Sequence, residues 1–69
     1  MKVDDETLTA MQLKILTMTA EGMSMKLISA SIGISIKTVE GHKYKIYNKL
    51  KAKNAPHSVM IAMREGILR

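Results

Sequence analysis

The sequence predicts an all-α chain of four short helices. Residues suited to helix N-caps stand at Thr9, Ser24, Ser35 and Asn54, each ahead of a segment with apolar residues at helical spacing. Glycine follows three of those segments, at Gly22, Gly33 and Gly66, where a helix is expected to stop. The stretch ISASIGISI alternates for a few residues like a strand. The caps on either side of it and an aromatic content of 3% argue against a β reading.

Residues 1–7 read as a flexible N-terminal segment and residues 8–69 as one folded domain. In the first helix, about Ala10 to Glu21, Thr9 and Gln12 have the capping-box spacing, and Leu8 is placed to staple onto Leu13. The second helix runs from Met25 to about Ser31, with Leu27, Ile28 and Ile32 expected to turn inward. Gly33 stands where the chain must reverse, a position that favours a residue free to adopt positive φ. Ser35 then opens the third helix, about residues 36–50. At about 100° per residue, Val39, Ile46 and Leu50 fall in one narrow sector and form its core stripe. Lys37, Gly41, Tyr44 and Asn48 lie on the opposite side. Asn54 caps a fourth helix that tolerates Pro56 in its first turn and ends near Glu65. Val59, Met60, Ile61, Ala62 and Met63 make this helix apolar on more than one face, so a second copy is expected to cover part of it.

The second and third helices, with the tight turn Ile32-Gly33-Ile34 between them, have the outline of a helix-turn-helix. In that motif the later helix enters the major groove of DNA. Charge agrees. The chain carries 11 Lys+Arg against 6 Asp+Glu, a formal net charge of +5. Between Lys37 and Lys53 there are six lysines and one acid, Glu40, whereas Asp4, Asp5 and Glu6 cluster at the N-terminus. A basic helix face on a small domain is the footprint of a polyanion binder, although many soluble helices also carry solvated lysines.

Other chemistries find no residues. There is no cysteine, so disulfides and thiolate metal sites are excluded. His42 and His57 are far apart and have no HExxH context. The four glycines form no phosphate-binding loop, and no serine has a nucleophile-elbow context. The methionines read as core or interface filler. No enzyme activity and no cofactor are expected. No apolar run reaches the roughly 18 residues that span a membrane, and MKVDDETL lacks the apolar region of a secretory signal. The protein is expected to be soluble and cytoplasmic.

With four helices placed, the chain resembles the LuxR-type (LuxR/FixJ) DNA-binding domain from Leu8 to Leu68. The matching residues are Leu8-Thr9, Ile15-Leu16, Ala20 to Ser24, Lys26, Ile28 and Ile32 to Ser35. The densest block is Lys37-Thr38-Val39-Glu40-Gly41-His42, with Ile46, Lys49-Leu50, Asn54, Val59, Ala62 and Gly66-Ile67 behind it. The run from Ile15 to Gly22 is similar to the quorum-sensing branch. The chain departs from the family at Gln12 and Lys14, where acids are usual, at Leu27, where glutamate is common, and at Ser29, where alanine is common. These departures bear on intramolecular salt bridges rather than on the fold. No receiver or ligand-binding domain precedes the module, so the chain reads as an excised domain or as a stand-alone member. The resemblance implies transcriptional regulation by sequence-specific binding of double-stranded DNA, commonly as a homodimer with the fourth helix at the interface.

Base-edge readers must project from the outward face of the third helix, and Lys37, Glu40, Gly41 and Tyr44 meet that test. Lysine can donate to guanine, glutamate can accept from cytosine N4, and glycine permits close approach. Tyr44 can stack on a sugar or bond a phosphate. Glu40 has an equally good second reading, an intrahelical pair with Lys43 or Tyr44. Lys26, Thr38, Lys45 and Lys49 suit phosphates. The resemblance adds His42 near the backbone-contacting surface, although a hydrogen-bonded structural histidine is the commoner role. The stem of Lys43 is expected to lie over the core with its charge in solvent. Met60, Ile61 and Met63 are the expected dimer contacts. The rival reading is an interaction protein that pairs through its fourth helix with a larger regulator of the same family.

Overall fold

A computed structural model of the protein describes residues 8–68; the flexible segment expected over residues 1–7 lies outside them. The described residues form α1 (Ala10–Ala20), α2 (Met25–Ile32), α3 (Ile36–Leu50) and α4 (Ala55–Arg64), with no strand among them. All four expected N-caps are made. Thr9, Ser24, Ser35 and Asn54 have extended backbones, and each side-chain oxygen accepts from the amide three residues on. Each such cap is worth about 1 kcal/mol. At α1 the box is reciprocal. Gln12 N donates to Thr9 Oγ1 at 3.1 Å, and Thr9 N donates to Gln12 Oε1 at 3.0 Å.

Gly33 ends α2 at φ 87°, and its amide donates to Ser29 O at 2.8 Å. This left-handed residue reverses the chain between α2 and α3. Lys51 does the same for α3 at φ 57°. It is the non-glycine residue with positive φ in the described chain, and no glycine signals that stop in the sequence.

The core is Ile15 and Leu16 of α1, Ile28 of α2, Val39 and Ile46 of α3, and Ala62 of α4. Because α3 packs on each of the other three helices, its Val39–Ile46 stripe is locked inward and its opposite face is fixed outward. Leu50, the third residue expected in that stripe, is half-buried against the same cluster.

Two apolar residues lie differently from expectation. Leu27 is 52% exposed rather than turned inward. Ile28 and Ile32 are one turn apart and face the core together, and Leu27 lies about 100° off that line. In α4, Ile61 is 8% exposed and faces inward with Ser58 and Ala62. Its position three residues after Ser58 and one before Ala62 puts it on the packed stripe. The outward apolar residues of α4 are Met60 and Met63.

Candidate nucleic-acid interface

The face of α3 opposite its core stripe carries Lys37, Gly41 and Asn48, all exposed. Two flanks border it. One is the stripe Thr38, His42, Lys45 and Lys49, spaced at i, i+4, i+7 and i+11. The other carries Glu40, Lys43, Tyr44 and Tyr47, which with Met25 of α2 line an open groove of about 290 Å³.

The sequence-predicted base readers come together. Lys37, Glu40, Gly41 and Tyr44 are all exposed, within two turns of the N-terminus of α3. Tyr44 is 67% exposed, which is unusual for one of the chain's only two aromatic rings. Glu40 forms no ion pair or hydrogen bond with any described residue, so its intrahelical pairing with Lys43 or Tyr44 is not made. At Gly41 an added Cβ would meet nothing within 4 Å. Neither packing nor backbone conformation therefore calls for glycine there.

The phosphate candidates differ among themselves. Lys26 and Lys45 are exposed. Thr38 is exposed, and its hydroxyl lies 2.9 Å from Ser35 Oγ, so it shares in the N-cap of α3. Its amide also donates to Ser35 Oγ at 3.0 Å. Lys49 is half-buried, and its Nζ donates to Gln12 Oε1 at 3.0 Å, which makes it a tie between α3 and α1. His42 is half-buried with Nδ1 sealed off and without a hydrogen-bond partner among the described residues, so the structural hydrogen bond expected of it is not made through that atom. Only Nε2 of that ring is left to meet a phosphate.

Lys43 is half-buried beside the core, as its helical angle predicts. Burial lowers its pKa below the ordinary lysine value. Burial also raises that of Tyr47, because the phenolate is the costlier form away from water.

Sequence reasoning gave Gln12 a capping role alone and gave His57 none. Gln12, 4% exposed, accepts from both Thr9 and Lys49. His57 Nδ1 accepts from Lys53 N at 3.0 Å, which ties the α3–α4 loop to the first turn of α4. A capping signal was legible at Gln12, but its second partner lies 37 residues away in the chain. The His57 bond has no comparable sequence signal.

On α4, Met60 is 47% and Met63 56% exposed. A groove of about 480 Å³ runs between α1 and α4, lined by Leu13, Thr17, Val59, Met63 and Ile67 among others.

Comparison with known proteins gives one consistent result. The family described as GerE, bacterial regulatory proteins, luxR family, matches residues 6–62. The chain is 37% identical over 65 residues to the transcriptional regulatory protein YdfI of Bacillus subtilis (strain 168), covering 94% of this chain and 30% of that protein. It is 38% identical over 61 residues to the oxygen regulatory protein NreC of Staphylococcus carnosus (strain TM300), covering 88% of this chain and 28% of that protein. The crystal structure of the response regulator ChrA, of a heme-sensing two-component system, superposes with a TM-score of 0.87 at 29% identity. That match covers 90% of this chain and 31% of ChrA. The chain thus spans under a third of the length of each of these three proteins. None of their names speaks to the quorum-sensing resemblance of residues 15–22.

Proposed function

The chain belongs to the luxR family of bacterial regulatory proteins, and on that premise we propose that it binds double-stranded DNA sequence-specifically to regulate transcription, with α3 in the major groove. The observation that carries this reading is the exposed face of α3. Val39 and Ile46 are held in the core, and Lys37, Glu40, Gly41, Tyr44 and Lys45 are left free of packing on the other side. A helix presented in this way fits the major groove. The amide groups of its first turn, with Lys26, Lys45, Lys49 and Nε2 of His42, supply donors for phosphate oxygens. Thr38 offers its hydroxyl, 2.9 Å from Ser35 Oγ, at the same end.

Two copies pair through α4 in this reading, with Met60 and Met63 as the apolar contacts. Half-sites would then lie about one helical turn, roughly 34 Å, apart. Bacterial DNA as partner puts its place of work in the cytoplasm.

The test is binding to a randomised duplex pool at two salt concentrations, with sequencing of the bound fraction. A two-fold-symmetric enriched motif is the expected result. Lys45→Ala should weaken binding to every sequence and reduce the slope of log affinity against log salt by about one. Salt-sensitive binding without enrichment leaves only electrostatic association.

A second reading rests on the same two methionines. The domain would pair through α4 with a larger regulator of its family and modulate it without touching DNA. Absence of DNA binding at either salt concentration favours that reading over the first.

A further inference from the structure

The two flanks of α3 differ in the chemistry they offer. The Thr38–His42–Lys45–Lys49 flank presents mostly hydrogen-bond donors. The Glu40–Lys43–Tyr44–Tyr47 flank presents a carboxylate without a partner among the described residues, both aromatic rings of the chain and, across the groove, the thioether of Met25. The stem of Lys43 is half-buried along the same wall.

Major-groove edges of base pairs carry three kinds of group. Acceptors are guanine O6 and N7, adenine N7 and thymine O4. Donors are the amino groups of cytosine N4 and adenine N6. The apolar group is the thymine methyl. A carboxylate at Glu40 repels acceptors and so disfavours guanine beneath it. The aromatic face of Tyr44 has one apolar counterpart in the groove, the methyl at C5 of thymine. The lysines on the rest of α3 supply the charge complementarity that holds the duplex against this flank.

We propose that this flank reads the C5 edge of pyrimidines, with the Tyr44 ring packed on a thymine methyl group and the Glu40 carboxylate accepting from a neighbouring cytosine N4. The inference rests on the major-groove placement of α3 proposed above, and it names the base chemistry that the placement selects. Glu40 and Tyr44 lie four residues apart, about 6 Å along the helix axis. At about 3.4 Å per base step along one strand, that reach corresponds to about two steps. Tyr44 is the specificity-determining residue of the pair, because no other exposed aromatic ring exists on the described surface. Tyr47 is half-buried, lining the groove and packed against the core.

The experiment uses the duplex enriched from the randomised pool. Each thymine is replaced in turn by deoxyuridine, which pairs identically and lacks only the methyl group. One or two adjacent positions should bind about fourfold more weakly, the worth of one buried methyl. Tyr44→Ala should abolish that penalty, and Tyr44→Phe, which keeps the ring, should retain it. Tyr44 is exposed, so both variants are expected to fold, and thermal melting checks this.

Sequence-selective binding that is indifferent to every deoxyuridine substitution overturns the inference and leaves the DNA-binding reading standing. So does an enriched site with no thymine, or a methyl penalty that survives Tyr44→Ala. Failure to enrich any sequence removes the reading of α3 itself, and the inference with it.

Discussion

Gln12 serves three groups at once. Its amide nitrogen of the backbone is capped by Thr9, and its Oε1 accepts from Thr9 N and from the Lys49 ammonium, each at 3.0 Å. It is 4% exposed, and its truncation takes the acceptor from both Thr9 N and the Lys49 ammonium. Gln12→Ala should therefore cost about 1–2 kcal/mol, read as a lowered denaturation midpoint. An unchanged midpoint would show that the Lys49 bond contributes nothing. Gly41 is the opposite case. Glycine inside a helix costs about 0.5–1 kcal/mol relative to alanine, and a Cβ there meets nothing. Gly41→Ala should raise stability by about that amount and weaken DNA binding, because the methyl would stand where base edges approach the backbone. Stabilisation with undiminished affinity would remove Gly41 from the interface.

The helices start by rule and stop less predictably. Every start has a Ser, Thr or Asn cap that the sequence displays. Gly33 supplies the left-handed stop of α2, and the sequence displays that as well. The end of α3 is another matter. Lys51 adopts φ 57° although a Cβ is disfavoured in that region, and Lys51 N and Ala52 N donate back to Asn48 O and Tyr47 O. Leu50, just before the turn, is half-buried against the core. Lys51→Gly should relieve the local strain at some cost in unfolded-state entropy. A net gain of about 0.5 kcal/mol is expected, with melting temperature as the readout. Destabilisation would mean that the lysine stem contributes more than its backbone conformation costs.

At the scale of the described domain, exposed lysines stand on α3 and exposed methionines on α4. The lysine-bearing face of α3 and the exposed methionines of α4 are presented by two helices that pack on each other, with Ile46 and Ala62 both in the shared core. No helix among the described residues is long and apolar enough to cross a membrane. A core this small leaves little margin of stability, and a second copy docked on α4 would add to it. Met63→Glu should abolish dimerisation, as measured by analytical ultracentrifugation, and should leave the monomer's helical content intact because the side chain is 56% exposed. A dimer that survives both Met63→Glu and Met60→Glu places the interface elsewhere.

The four helices, their caps, the inward Val39–Ile46 stripe and the lysine-rich face opposite it are properties of the sequence alone. They rest on hydrogen bonds between near neighbours and on a helical period that any 15-residue helix must obey. The tertiary structure decided what distant segments do to one another. It turned Leu27 outward and Ile61 inward, drew Lys49 toward Gln12, sealed Nδ1 of His42 and gave Glu40 no partner among the described residues. Each of these depends on which neighbouring helix covers a given side chain. Helical period reports the face a residue lies on, and only packing determines whether that face meets protein or water.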